Sequence, residues 1–180
     1  MIVILEGCDC VGKTTFAQML AEKTGYEIVK GSSFEIAELG QFGMYEHMFE
    51  LLDRDNIIID RFLYSNLVYG SIYDYPMMLP IQYLSLVQKL NKVGMVVYLH
   101  AHESVIRGRM ESRGDDMIKT YDISRILDTY NHNINGVFSP KMMLSLNTNE
   151  SDLNDFNIAT SMVKEMIDGN MLKTYIKTTN

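Results

Sequence analysis

One octapeptide constrains this chain more than any other feature. Gly7-Cys8-Asp9-Cys10-Val11-Gly12-Lys13-Thr14 matches G-x-x-x-x-G-K-[ST] without a gap. Ahead of it, residues 1–6 (MIVILE) read as a fully buried strand. Behind it, Lys13 to Thr24 reads as a helix with Phe16, Met19 and Leu20 inward and Gly25 to end it. A strand, a glycine-bounded loop and a helix in that order make an anion site. Gly7 and Gly12 permit a tight turn whose N–H groups face inward, and the helix start adds partial positive charge. Lys13 would place a point charge on the β- and γ-phosphates of a nucleotide, and Thr14 would offer its hydroxyl to Mg²⁺. The whole segment Gly7, Cys8, Asp9, Cys10, Val11, Gly12, Lys13, Thr14 and Thr15 is therefore the candidate ATP site.

The rest of the chain alternates short apolar runs with helix-periodic segments. That alternation predicts an α/β domain with a mainly parallel sheet. Further strands are expected at 26–30, 56–60, 95–100 and 141–146, making five with the first. Residues 34–52 read as helical with breaks near Gly40 and Gly43. A helix over Leu79–Lys92 is expected to turn Ile81, Leu84, Val87 and Leu90 inward. Others are expected at 103–112, at 122–135 with Ile123, Ile126, Leu127, Tyr130 and Ile134 buried, and at 152–168 with Phe156, Ala159, Met162, Val163 and Met166 buried.

Composition narrows the classes. The chain has 180 residues, 47% hydrophobic and 22% charged, which suits one soluble domain, 1–180. No apolar run reaches the length of a membrane span, and no basic segment precedes the first apolar run, so neither a membrane anchor nor a leader is expected. A net charge of −7 disfavours nucleic acid as a partner. Two cysteines make no disulfide framework, which fits a reducing cytoplasm.

A second element is Asp60-Arg61 at the end of the third expected strand. Asp60 should emerge at the carboxyl edge of the sheet beside the loop, where it can orient the water shell of Mg²⁺. Arg61 would project into the same crevice and clamp a phosphate; a plain strand-end salt bridge is the other reading. The guanine-reading N-K-x-D pattern is missing, since Asn91-Lys92-Val93-Gly94 lacks the Asp and precedes a strand.

Here the chain resembles the thymidylate kinase family of P-loop kinases. Leu5-Glu6-Gly7-Cys8-Asp9 through Thr15 follows that family's E-G-x-D-x-x-G-K-[ST]-T loop. Asp60-Arg61-Phe62-Leu63-Tyr64-Ser65 through Tyr69 follows D-R-[YF]-x-x-S-x-x-A-[YF], with Val68 for Ala. Arg109-Met110-Glu111-Ser112-Arg113-Gly114 resembles the lid pattern R-x-x-x-R-G, and Tyr130 falls where the helix after the lid carries a tyrosine. The resemblance implies a three-layer P-loop kinase fold, with a five-stranded sheet between helices and a helical lid at about 103–120. It implies ATP and Mg²⁺ as cofactors, a nucleotide as the small-molecule partner, and a homodimer. It implies that Asp9 contacts the acceptor sugar and the phosphate-binding arginines. Asp60, Arg61, Phe62 and Tyr69 would meet the acceptor, and Arg109 and Arg113 would close over the transferring group, with Lys13, Asp9, Arg61, Arg109 and Arg113 forming the catalytic set. Many members carry an Arg where Cys10 stands.

The lid also has a physical reading. Arg109 and Arg113 are i, i+4 on one helix face, between Gly108 and Gly114 as hinges. An ordinary solvated basic face, salted by Glu111, Asp115 and Asp116, is the bland alternative. The match weakens in the base-reading region. Residues 31–53 hold no arginine, and Lys30 and Ser32 stand where an acceptor-phosphate arginine is usual. For Phe34, Phe42, Tyr45 and Phe49, and for Tyr64, Tyr69, Tyr73, Tyr75 and Tyr83, sequence alone leaves core and acceptor pocket both open, with Tyr69 the best pocket candidate because it falls on the motif. His100 and His102 have no third residue at metal spacing and read as surface histidines. Cys8 and Cys10 could carry thiols of lowered pKa at the helix start, making the loop sensitive to oxidation.

The expected activity is ATP-dependent phosphorylation of a deoxynucleoside monophosphate, with dTMP going to dTDP as the leading case. The alternatives are a deoxynucleoside kinase using Glu35 as base on a 5′-hydroxyl, a kinase of a modified nucleotide, and a non-catalytic nucleotide-binding protein.

Overall fold

The structure is a computed structural model that describes residues 1–114, 122–150 and 153–169. Five strands form one sheet: β1 (Ile2–Glu6), β2 (Glu27–Lys30), β3 (Ile57–Asp60), β4 (Gly94–His100) and β5 (Met143–Asn147). Their order is β2-β3-β1-β4-β5, and all four pairings are parallel. Parallel neighbours need crossovers, and helices supply them. These are α1 (Lys13–Thr24), α2 (Phe34–Ala37), α3 (Gly40–Leu51), α4 (Leu63–Tyr73), α5 (Pro80–Val93), α6 (Glu103–Arg113), α7 (Ile123–Asn135) and α8 (Leu153–Ile167). Helices on the sheet explain why β1 reads as a continuous apolar run: Ile2, Val3, Ile4 and Leu5 have no solvent exposure. After β3 the winding passes to the far side of β1. The carboxyl ends of β1 and β3 therefore flank the crevice where such sheets bind ligands.

The five expected strands are present, each shifted by a residue or two, as hydrogen bonding rather than hydropathy sets strand ends. Gly40, at φ 70°, opens α3 after the break that follows α2, whereas Gly43 lies inside α3 and breaks nothing. The buried stripe of α7 is Ile123, Ile126, Tyr130 and Ile134, with Leu127 at its border. On α8, Met162 is exposed and Thr160 is buried in its stead. The expected inner face of α5 needs correction. Ile81 is 67% exposed, and the buried residues are Gln82, Tyr83, Leu86, Val87 and Leu90. A stripe built on steps of three drifts round the helix: at about 100° per residue, Ile81 and Leu90 lie on opposite faces.

Packing places the phosphate loop. The α1 and α8 helices lie side by side, with the Phe16 and Phe156 rings edge to face at 5.8 Å. Gly12 has φ 93°, and a Cβ there would come within 2.7 Å of the Phe156 ring. Gly7 has φ 141°, and a Cβ there would lie 2.1 Å from the Leu99 carbonyl oxygen of β4. Both glycines are thus demanded twice, by backbone conformation and by close approach. The α4 and α7 helices pack together, which brings Tyr130 against Ser65 at the crevice. Among the described residues, no helix is long and apolar enough to cross a membrane. Of the expected lid, Glu103–Arg113 is helical; 115–120 and the tail 170–180 lie outside the described residues.

Candidate active site

The loop after β1 curls round the Lys13 ammonium, which donates to the carbonyls of Gly7 at 2.9 Å and Cys8 at 2.6 Å. Burial lowers the Lys13 pKa to about 8; Arg61 pushes the same way, and Asp9 and Asp60 oppose it in part. The side chain of Thr14 is exposed at the first turn of α1, and Thr15 is half-buried. Neither Cys8 nor Cys10 is part of a disulfide. The expected low-pKa thiol is corrected at Cys8. That side chain is wholly buried, and burial, with Asp9 beside it, pushes the thiol up to about 11.

Arg61 is the centre of the crevice. Its backbone is left-handed at φ 61°, unusual for a residue with a side chain, and its N–H donates to the Leu5 carbonyl at 3.0 Å. That turn sends the guanidinium back over the loop. It pairs with Asp9 at 2.5 Å, donates to the Gly7 carbonyl at 3.2 Å, and lies 5.0 Å from the Tyr69 ring centre. Tyr69 donates its hydroxyl to the other Asp9 oxygen at 2.9 Å. Burial alone would raise the Asp9 pKa, but the Arg61 and Lys13 cations hold it below the usual range. The expected trio of Asp9, Arg61 and Tyr69 is thus one connected cluster.

Beside it opens a cavity of about 390 Å³, bounded by Arg61, Asp9 and Asp60 on one side and by Lys30, Ser32 and Ser33 on another. Its aromatic wall is Phe34, Tyr69, Tyr73 and Tyr75, where the Phe34 and Tyr75 rings meet edge to face at 5.2 Å. This sorts the aromatic residues that sequence left open. Tyr64 and Tyr83 are core residues; Tyr64 donates to the Phe138 carbonyl at 2.6 Å, and Tyr83 donates to the Asn66 side chain. Tyr45 and Phe49 pack against the core, and Phe42 is exposed. Phe62 is displaced from its expected role: it has no exposure, lies against Gly31, and does not line the cavity. The strand-end turn that aims Arg61 outward sends the next side chain inward. Glu35 is also off the cavity, exposed on α2.

Asp60 has one carboxylate oxygen, Oδ1, that is buried and without a hydrogen-bond partner. A buried oxygen anion so placed fits a cation or its bound water, since leaving it bare costs about 1–3 kcal/mol. Asp60 Oδ1 and the Thr14 hydroxyl are each hard oxygen donors of the kind Mg²⁺ takes, one or two from protein while it keeps its waters.

Arg109 and Arg113 both reach the tip of the loop. Arg109 donates to the Cys10 carbonyl at 3.2 Å and to the Thr148 carbonyl at 2.5 Å; Arg113 lies 3.5 Å from the Cys10 sulfur. The i, i+4 face therefore meets the phosphate loop rather than solvent alone. Arg107 points away and pairs with Glu103 at 2.6 Å. The histidines are local structure: His102 caps α6 through the Ser104 N–H, and His100 stacks on Tyr98 at 5.4 Å.

Sequence reasoning missed Glu6 as a member of the site. It has no solvent exposure, and its carboxylate accepts from the N–H groups of Phe62, Tyr64 and Ser65 and from the Ser65 hydroxyl. A signal was present, because a Glu ending a wholly apolar strand must be buried with partners. Ser65 stood in the D-R-[YF]-x-x-S pattern without a role of its own, and Thr148 after β5 carried no signal.

A parallel sheet ordered 2-3-1-4-5, with a glycine-bounded loop cradling a lysine at the end of β1, defines a P-loop kinase fold. No family model matches the chain. It is 46% identical over 130 residues to the SPbeta prophage-derived uncharacterized protein YorR of Bacillus subtilis (strain 168), covering 72% of this chain and 79% of that one. The chain belongs to the family of YorR. A crystal structure of YorR in complex with phosphorylated GDP superposes with a TM-score of 0.84 at 37% identity, over 94% of this chain and 98% of that one. Deoxyadenosine kinase from M. mycoides, with bound dCTP, shares the fold at a TM-score of 0.58 and 18% identity, over 94% of this chain and 100% of that one.

Proposed function

We propose that this chain is an ATP- and Mg²⁺-dependent nucleoside monophosphate kinase of one domain, 1–180, with a lid at about 103–120. The carrying observation is the Asp9–Arg61–Tyr69 cluster, which presents a fixed guanidinium to a 390 Å³ cavity next to Lys13. A guanidinium held by a carboxylate and a phosphate-loop carbonyl keeps donors for an acceptor phosphate, and Lys30 adds a second cation on the cavity wall. Lys13 would leave the Gly7 and Cys8 carbonyls for the β- and γ-phosphates of ATP. Thr14 and Asp60 would hold Mg²⁺, which supplies charge neutralisation across the phosphates. Arg109 and Arg113, already at the loop tip, would cover the transferring phosphoryl group and exclude water.

The reaction is an in-line attack of an acceptor phosphate oxygen on the γ-phosphorus of ATP, with ADP leaving. A phosphate monoester has a second pKa near about 6, so its oxygen is already anionic and needs no strong base. This agrees with the placing of Glu35 on the surface, which weighs against transfer to a 5′-hydroxyl. Thymine is the base implied by the motif resemblance, and Phe34, Tyr73 and Tyr75 offer it a stacking wall. A guanine base is the second reading, favoured by the ligand named for the YorR crystal.

The test is ADP release from ATP and Mg²⁺ against a panel of nucleosides and monophosphates that includes dTMP, dGMP and GMP. Lys13→Met and Arg61→Ala serve as folded controls. Release is expected with one or more monophosphates and is expected to collapse in both variants. Release with nucleosides alone would replace the monophosphate reading. Silence across the panel with ATP still bound would leave a nucleotide-binding protein without this activity.

A further inference from the structure

Glu6 closes a strand that otherwise carries only apolar side chains, and it ends directly under the crevice. Oε1 accepts from the N–H groups of Phe62 at 2.8 Å, Tyr64 at 3.1 Å and Ser65 at 3.2 Å. These are donors at the start of α4, whose capping residue Phe62 has no side-chain cap of its own. A carboxylate from another strand does that work, with the favourable end of the helix facing it. Oε2 accepts from the Ser65 hydroxyl at 2.6 Å and from the Tyr130 hydroxyl at 3.4 Å. Ser65 and Tyr130 are joined at 2.8 Å, and both hydroxyls lie within 3.5 Å of Arg61 Nη1. Tyr130 and Arg61 also converge on the same Gly7 carbonyl, each at 3.2 Å.

We infer that Glu6 is a positioning residue for Arg61. Its carboxylate pins the left-handed turn that carries the arginine, and through Ser65 and Tyr130 it seats the guanidinium against the phosphate loop. Two arguments separate this from a buried charge with a purely structural duty. First, burying a carboxylate is costly, and an apolar residue in β1 would avoid the cost. Secondly, the network ends on both the guanidinium and the loop carbonyl rather than in the core. The inference rests on the proposed role of Arg61 in holding the acceptor phosphate.

The experiment is a double-mutant cycle with Glu6→Gln, Arg61→Ala and the pair, read by steady-state kinetics. Glu6→Gln is expected to lower kcat/KM for the acceptor by roughly tenfold while the KM for ATP stays unchanged. In the Arg61→Ala background the same change is expected to cost nothing further. Independent, additive losses, or a loss confined to ATP, would overturn the inference. Should Glu6→Gln fail to fold, Ser65→Ala and Tyr130→Phe each remove one hydroxyl; smaller acceptor losses that vanish with Arg61→Ala are expected, and additive ones would overturn it. A readout without activity is the Arg61 guanidinium ¹⁵N signal, assigned by its absence in Arg61→Ala. It is expected to move in Glu6→Gln, or in Tyr130→Phe, and an unmoved signal would overturn the inference. Movement of that signal in a protein inactive on every panel acceptor would refute the proposed function and leave the positioning role standing.

Discussion

Raising the pH from 7 to 9 should weaken ATP binding, through a single group. Lys13 is enclosed by its own loop, donating to two carbonyls, and burial with Arg61 nearby brings its pKa to about 8. Triphosphate oxygens would meet the ammonium far better than the neutral amine, so the bound pKa lies above the free one. The sign follows: the complex holds more protons than the free protein, and affinity falls as pH rises through about 8. If only the ammonium form binds, Kd scales as 1 + 10^(pH − 8), roughly a tenfold rise from pH 7 to 9. Proton uptake on binding should be about half a proton at pH 8 and about 0.9 at pH 9. The terminal phosphate of ATP titrates below this window, and Cys8, pushed up to about 11, titrates above it. Isothermal titration in two buffers of different ionisation enthalpy measures both quantities. Lys13→Arg, charged throughout, should abolish the uptake. A flat Kd with no proton uptake in the wild-type protein would refute the reasoning.

Three further outcomes are expected. Gly7→Ala should destabilise the fold by about 3 kcal/mol or more, because the new Cβ meets the Leu99 carbonyl at 2.1 Å on a backbone of φ 141°; wild-type denaturant midpoints would contradict this. Cys8 should react with iodoacetamide about a hundredfold more slowly in the native protein than after unfolding, as its rise to about 11 leaves little thiolate; mass spectrometry with and without guanidinium checks it. Asp60→Asn should raise the Mg²⁺ concentration needed for half-maximal turnover by about tenfold while the melting temperature holds or rises, since the variant removes a charge whose Oδ1 has no partner; an unchanged Mg²⁺ requirement would remove Asp60 from the metal site.

The sequence alone determined the sheet and the phosphate loop. Both depend on local rules: period and composition for β1, β3 and β4, and glycine, lysine and threonine at fixed spacing for Gly7 through Thr14. The loop works through its own backbone, so its residues are neighbours in the chain as well as in space. Asp9, Arg61 and Tyr69 were legible through motif resemblance, although pattern could not say that the Asp9 carboxylate would hold both the Arg61 guanidinium and the Tyr69 hydroxyl. Tertiary structure decided what pattern could not reach. It sent Phe62 into the core and turned Ile81 to solvent. It divided the tyrosines of residues 64–83 between core and cavity. It also made Glu6 the hub of a network reaching from β1 to α7, 124 residues away along the chain. The reason is one of range. Periodicity reports which side of an element is buried, whereas a side chain's partners depend on which elements pack across the gap, and that is fixed only when the chain has folded.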